Sequence, residues 1–119
     1  MTTFHDSVRA LLPLPPATFH ILLAVSSEDR HGYAIIQDVE ARTGGALRLS
    51  AGTLYRSIAR MVEQGLLTET SRRRTADDDE RRRYYRITAF GTAVARAEMG
   101  RLTDLVRLAR ASGFTPETA

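Results

Sequence analysis

The chain has 119 residues, 43% of them apolar, and no cysteine. That length allows one domain with a modest core, and the missing thiols exclude a disulfide framework, a thiolate metal site and cysteine catalysis. Seventeen basic residues against fourteen acidic ones give a net charge of +3, and every basic residue is arginine. Arginine's planar fork matches phosphates and guanine edges, but arginine-only usage also follows from a G+C-rich genome, so the positions of the arginines matter more than their number. No apolar run approaches the ~18–20 residues of a membrane span. Met1 to Asp6 lacks a basic stretch leading into an apolar one. Neither a membrane nor secretion is expected, and the expected location is cytoplasmic.

Residues 3–12 read as a short amphipathic helix with Phe4, Val8, Leu11 and Leu12 on one side, ended by Pro13, Pro15 and Pro16. So short a helix is marginal alone, and this N-terminal arm (1–13) is expected to dock on something. Ala17–Val25 is apolar nearly all round and belongs in the core. Ser26–Arg30 is a polar connection. His31 to about Thr43 forms a third helix with Ile35, Ile36 and Val39 on one face, stopped by Gly44-Gly45.

The next helix, Ala51–Gln64, carries the most information. Ser50 is a good N-cap. Leu54, Ile58, Met61 and Val62 form one apolar stripe, and Gly65 suits a left-handed stop. Gly52, Thr53, Arg56 and Arg60 lie mostly opposite. Two helices joined by a short glycine-containing link outline a helix-turn-helix, whose second helix fits a DNA major groove. The same face fits an ordinary surface helix with solvated arginines.

Residues 66–70 and 83–88 read as two strands. After the first strand come Arg72, Arg73 and Arg74, then Asp77-Asp78-Asp79-Glu80, then Arg81 and Arg82, and Arg83 opens the second strand. With no large apolar residue, this stretch is a hairpin tip projecting into solvent. Its arginines suit phosphates or a narrow minor groove; alternatively they neutralise the acidic tip. That tip lacks calcium-loop spacing, and His5, His20 and His31 share no ligand spacing. His20 is expected at a core boundary and His31 as a local capping or packing residue. No metal, no cofactor and no catalytic set is expected.

Thr88 should cap a last helix, Ala89–Ala111, in which Ala95, Met99, Leu102, Val106 and Ala109 recur at coiled-coil spacing and Leu105 and Leu108 widen the stripe. At ~35 Å this helix is too long for so small a domain to cover, so a second copy is expected over Met99, Leu102, Leu105 and Val106, with Phe4, Val8 and Leu11 of the arm packed there too. Residues 112–119 are expected to be a disordered tail.

Several short segments together resemble the PadR family of bacterial transcriptional regulators: Phe19–Ala24, His31-Gly32-Tyr33-Ala34-Ile35, Gly52-Thr53-Leu54-Tyr55, Glu63–Leu66, Asp79–Thr88 and Gly91. They span roughly residues 14–110, and the single C-terminal helix resembles the short members. The resemblance implies a mainly α fold with a small β-hairpin: a winged helix-turn-helix over 14–88, the N-terminal arm, and a long dimerisation helix over 89–111. It implies a homodimer binding double-stranded operator DNA, usually as a repressor, with a small-molecule effector at or near the dimer interface. Thr53 and Tyr55 would hold backbone phosphates, and Arg56 and Arg60 would face bases or phosphates. Arg72, Arg73, Arg74, Arg81 and Arg82 would form the wing, and Tyr33 would pack at, or hydrogen-bond from, the first helix of the motif. The chain has no tryptophan, the residue that stacks on drugs in some multidrug-sensing members. The alternative is a winged-helix module that binds protein and not DNA.

Overall fold

The computed structural model describes residues 3–70 and 82–117. Five helices and three short strands follow in the order α1 (Phe4–Ala10), α2 (Pro16–Ala24), β1 (Arg30–His31), α3 (Gly32–Arg42), α4 (Ala51–Glu63), β2 (Leu67–Thr70), β3 (Tyr84–Ile87) and α5 (Ala89–Ala111). The strands form one antiparallel sheet in the order β1-β3-β2. Two helices of a helix-turn-helix, α3 and α4, therefore sit beside a small wing sheet.

Local chemistry sets most helix ends. Thr3 and Asp6 form a reciprocal capping box at α1. Pro16 occupies the first turn of α2, where its missing N–H costs nothing. His31, Ser50 and Thr88 cap α3, α4 and α5 with their side chains. Gly65 closes α4 at φ +79°, and its N–H donates to Val62 O. At the far end of α5 the Phe114 N–H donates to Ala109 O at 3.1 Å, so residues 112–114 form a cap on that helix.

The core joins Ile21 and Leu22 of α2, Ile35 and Val39 of α3, Leu54, Ile58 and Met61 of α4, and Leu66, Leu67, Tyr85 and Val94 beyond them. Each such side chain contributes about 1.5–3 kcal/mol on burial, and together they fix the angle at which α4 presents its outer face. Val62 does not join them; it is 39% exposed. At 100° per residue it lies at the edge of the Leu54–Ile58–Met61 stripe, past the reach of α2 and α3.

Two expectations change. Residues 30–31 are not simply a link into a helix: Arg30 and His31 pair with Tyr85 and Tyr84 and add a third strand to the hairpin. The arm does dock, but on α5 of its own chain. Val8 is buried within its own core, and Leu11 is half-buried against it. Val8 is thus covered without any second copy. Phe4 meets Phe90 edge to face, with ring centroids 5.8 Å apart, and remains 56% exposed.

Candidate nucleic-acid interface

α4 turns its polar side outward. The Thr53 N–H donates to Ser50 Oγ at 3.2 Å, and Ser50 Oγ donates to Thr53 Oγ1 at 3.0 Å. Thr53 is half-buried; Tyr55, Arg56 and Arg60 are exposed. Arg56 folds back over the first turn, with Nη2 3.5 Å from Thr53 Oγ1. Neither α3 nor α4 has an acidic residue in its first turn, where Asp or Glu would ordinarily offset the helix dipole. Both helix starts are therefore left positive, and α4 adds Arg56. Arg60 lies one turn further along and borders a different cleft of about 330 Å³, against Leu11, Pro13 and Pro15. The two arginines of the helix do not converge on one point.

A second cleft, of about 420 Å³, joins this helix to the wing. It lies between His31, Gly32 and Tyr33 at the start of α3, Tyr55 of α4, and Arg82 and Arg83 at the entry to β3. Tyr33 and Tyr55 are 60% and 51% exposed. His31 Nδ1 accepts the Ala34 N–H at 3.2 Å, which places the proton of the neutral ring on Nε2. The 3.3 Å approach of Arg82 Nη1 to Nε2 then brings two donors together and is not a hydrogen bond. Arg83 Nε is 3.6 Å from Glu69, with both side chains largely exposed, a pairing of little strength. Tyr85 below is buried; burial, with Glu69 and Tyr55 adding to it, pushes its hydroxyl above the ordinary phenol value. It stays protonated and remains a donor. The cleft thus combines guanidinium groups and tyrosines on three separate elements.

Arginine contacts hold these elements together, and one of them, Arg86 to Asp29, spans 57 positions of sequence. Arg86 grips Asp29 through Nε at 3.1 Å and Nη2 at 2.9 Å. Arg30 reaches Asp38 of α3 at 3.3 Å, Glu28 at 3.1 Å and the Ala24 carbonyl at 2.6 Å. These arginines fasten the wing base to α2 and α3 rather than facing a ligand.

Of the expected wing residues, Arg82 is exposed beside His31, whereas Arg72, Arg73, Arg74, Arg81 and the acidic tip lie outside the described residues. On α5, Met99, Leu105, Val106 and Leu108 are 60%, 52%, 52% and 53% exposed, and Leu102 is half-buried. An apolar cleft of about 260 Å³ between α2 and α5, lined by Phe19, Leu23, Ala95 and Met99 with Arg96 at its edge, lies beside that stripe. Among the described residues no helix is long and apolar enough to cross a membrane.

The sequence matches the family described as "Transcriptional regulator PadR-like family" over residues 21–97. Among curated proteins no relative matches. Among solved structures, a transcriptional regulator from Clostridium thermocellum is 22% identical, with 89% of this chain covering 93% of that one at a TM-score of 0.68. A PadR family transcription regulator from Clostridium difficile is 19% identical, with 84% of this chain covering all of that one at a TM-score of 0.71. Bacillus subtilis PadR, solved in complex with operator DNA, is 15% identical, with 73% of this chain covering 48% of that one at a TM-score of 0.61. At these identities the structural likeness is one of fold.

Proposed function

Because this chain belongs to the PadR-like family of transcriptional regulators, we propose that it is an effector-responsive repressor that binds a palindromic operator as a homodimer. The observation that carries the reading is the exposed start of α4, positive and free of acidic residues, flanked by the tyrosine–arginine cleft. α4 enters the major groove, Arg56 reads base edges or phosphate, and Thr53 and Tyr55 hold backbone phosphates. Arg82 and the hairpin arginines Arg72, Arg73, Arg74 and Arg81 follow the adjacent backbone, and Arg60 meets a phosphate farther along the helix.

The apolar overhang of α5 supports the homodimer. Met99, Leu105 and Val106 are each about half exposed, and packing against a second copy removes that surface from water. Leu102, half-buried, belongs to the same seam, and Phe4 of the arm packs against it. The cleft at Phe19, Leu23 and Met99 adjoins it and suits a small apolar effector, whose binding would shift the spacing of the two α4 helices.

Selection of bound fragments from random duplex DNA tests the assignment directly. Enrichment of a site with two-fold symmetry, and affinity that falls steeply with salt, are expected. Equal retention of all fragments at physiological salt would refute operator recognition.

A further inference from the structure

We propose that Gly32 is a positioning residue for DNA contact: the absence of a side chain there lets Tyr55 of α4 lie across the first turn of α3. This rests on the reading above that Tyr55 meets DNA phosphate.

Gly32 is not required by its backbone. It opens α3, and the glycines at positive φ are Gly44, Gly45, Gly65 and Gly113, not Gly32. The space its missing Cβ leaves is what the fold uses. A Cβ at Gly32 would overlap Tyr55 Oη outright and stand 2.8 Å from Cζ and 3.1 Å from Cε1. The ring and the methyl cannot both occupy that space. The neighbour that must yield is the end of a tyrosine that is 51% exposed, and such a ring swings outward while the fold stays as it is. The consequence of a methyl at position 32 falls on where the Tyr55 hydroxyl stands.

Gly91 shows the opposite case. A Cβ there would overlap the Leu66 carbonyl oxygen, and that oxygen accepts the Thr88 N–H at 3.1 Å. Backbone held in this way cannot turn aside, so substitution at Gly91 strikes the fold itself. The two glycines are therefore distinguished by what they touch. Gly32 sets the joint between the two helices of the motif at the point where both open into the wing cleft, and it leaves the Tyr55 hydroxyl in the cleft that Arg82 and Arg83 also line.

The test compares Gly32→Ala, Tyr55→Ala and the double variant for binding to a random-sequence duplex, with thermal melting in parallel and Gly91→Ala as the stability control. Gly32→Ala should bind roughly tenfold or more weakly for each tyrosine–phosphate hydrogen bond removed, the usual range for a hydrogen bond to a charged group. The slope of log affinity against log salt should stay unchanged, because tyrosine carries no charge to release counterions. Its melting temperature should stay near that of the unaltered chain, while that of Gly91→Ala falls. In the Tyr55→Ala background the Gly32→Ala change should cost nothing further. If Gly32→Ala fails to fold, recovery of the fold in the double variant supports the proposal, and an unfolded double variant overturns it. Gly32→Ala binding at full strength while Tyr55→Ala is impaired overturns the proposal alone, as does an equal loss in both backgrounds. Tyr55→Ala binding at full strength removes the underlying reading of Tyr55 and the role of Gly32 with it.

Discussion

Replacing Glu98 with alanine should detach the arm from α5. Glu98 is 2% exposed. It accepts the Leu14 N–H at 3.1 Å, across 84 positions of sequence, and the Nη2 of Arg101 at 3.2 Å. Loss of the carboxylate strands a buried N–H, at about 1.5–3 kcal/mol for a bond to a charged acceptor. Arg101 is 35% exposed and rehydrates in part, so its share is nearer the ~0.5–1 kcal/mol of a surface pair. The expected loss is about 2–4 kcal/mol, or roughly 10 °C in Tm for a domain of this size. Glu98→Gln keeps an acceptor for Leu14 and should lose about half as much. The Arg101 guanidinium, helped by the Leu14 N–H and opposed by burial, holds the Glu98 carboxyl below its ordinary value of 4.5. A lowered pKa means that the stabilisation is complete above that ordinary value and disappears as pH falls through the depressed one. The Tm gap between the unaltered chain and Glu98→Gln should therefore be constant near neutrality and close only below about pH 4.5. Thermal melts of both proteins across pH 3–7, on the order of one step per half unit, read this directly. Equal melting temperatures at pH 7, or a gap that survives full acidification, would show that the Glu98 carboxylate does not hold the arm.

Val106→Glu should dissociate the proposed dimer and leave the fold of each chain intact, because Val106 is 52% exposed within its own chain; a charge facing its own copy across an apolar seam costs several kcal/mol, read by sedimentation. A clean monomer at micromolar concentration before any substitution would remove that seam. Arg56→Ala should weaken operator binding by about 1–3 kcal/mol and relax preference at one base pair per half-site if it reads a guanine edge, or weaken all sequences alike if it meets phosphate. Unchanged operator affinity in Arg56→Ala/Arg60→Ala would end the assignment of α4. Replacing Arg72, Arg73 and Arg74 with alanine should flatten the salt dependence by about 0.9 for each phosphate no longer neutralised and weaken operator and random duplexes alike. An unchanged slope would mean that the hairpin charges only neutralise one another.

The features of this chain that are legible along its sequence are those whose physics is local. Ser50 and Thr88 each cap a helix by reaching an N–H three residues away, and that reach is written in the spacing. The same holds for His31, whose Nδ1 meets the Ala34 N–H. The Leu54–Ile58–Met61 stripe is a rotation of 100° per residue and needs no knowledge of its partner. α5 runs from Ala89 to Ala111 as its cap and period require. The motif residues at Gly52–Tyr55 and His31–Ile35 point to the right family for the same reason: short-range patterns survive as text.

Whatever depends on which distant segment arrives is settled by the fold. Arg30-His31 has too few residues for any period and becomes a strand because Tyr84 and Tyr85 present a free edge. Glu98 falls within a helix that reads as a dimer seam, yet it is buried because a proline-rich turn brings the Leu14 N–H to it. The sequence pattern sets Val8 against a second chain and Val62 in the core; Val8 instead finds its own core and Val62 lies at the rim. Arginines that look alike in the sequence divide into fasteners such as Arg30 and Arg86 and outward groups such as Arg56 and Arg82. A guanidinium's role follows from the charge that stands opposite it: Arg30 finds Glu28 two residues before it, whereas the Asp29 that holds Arg86 lies 57 positions away and is brought there by the fold.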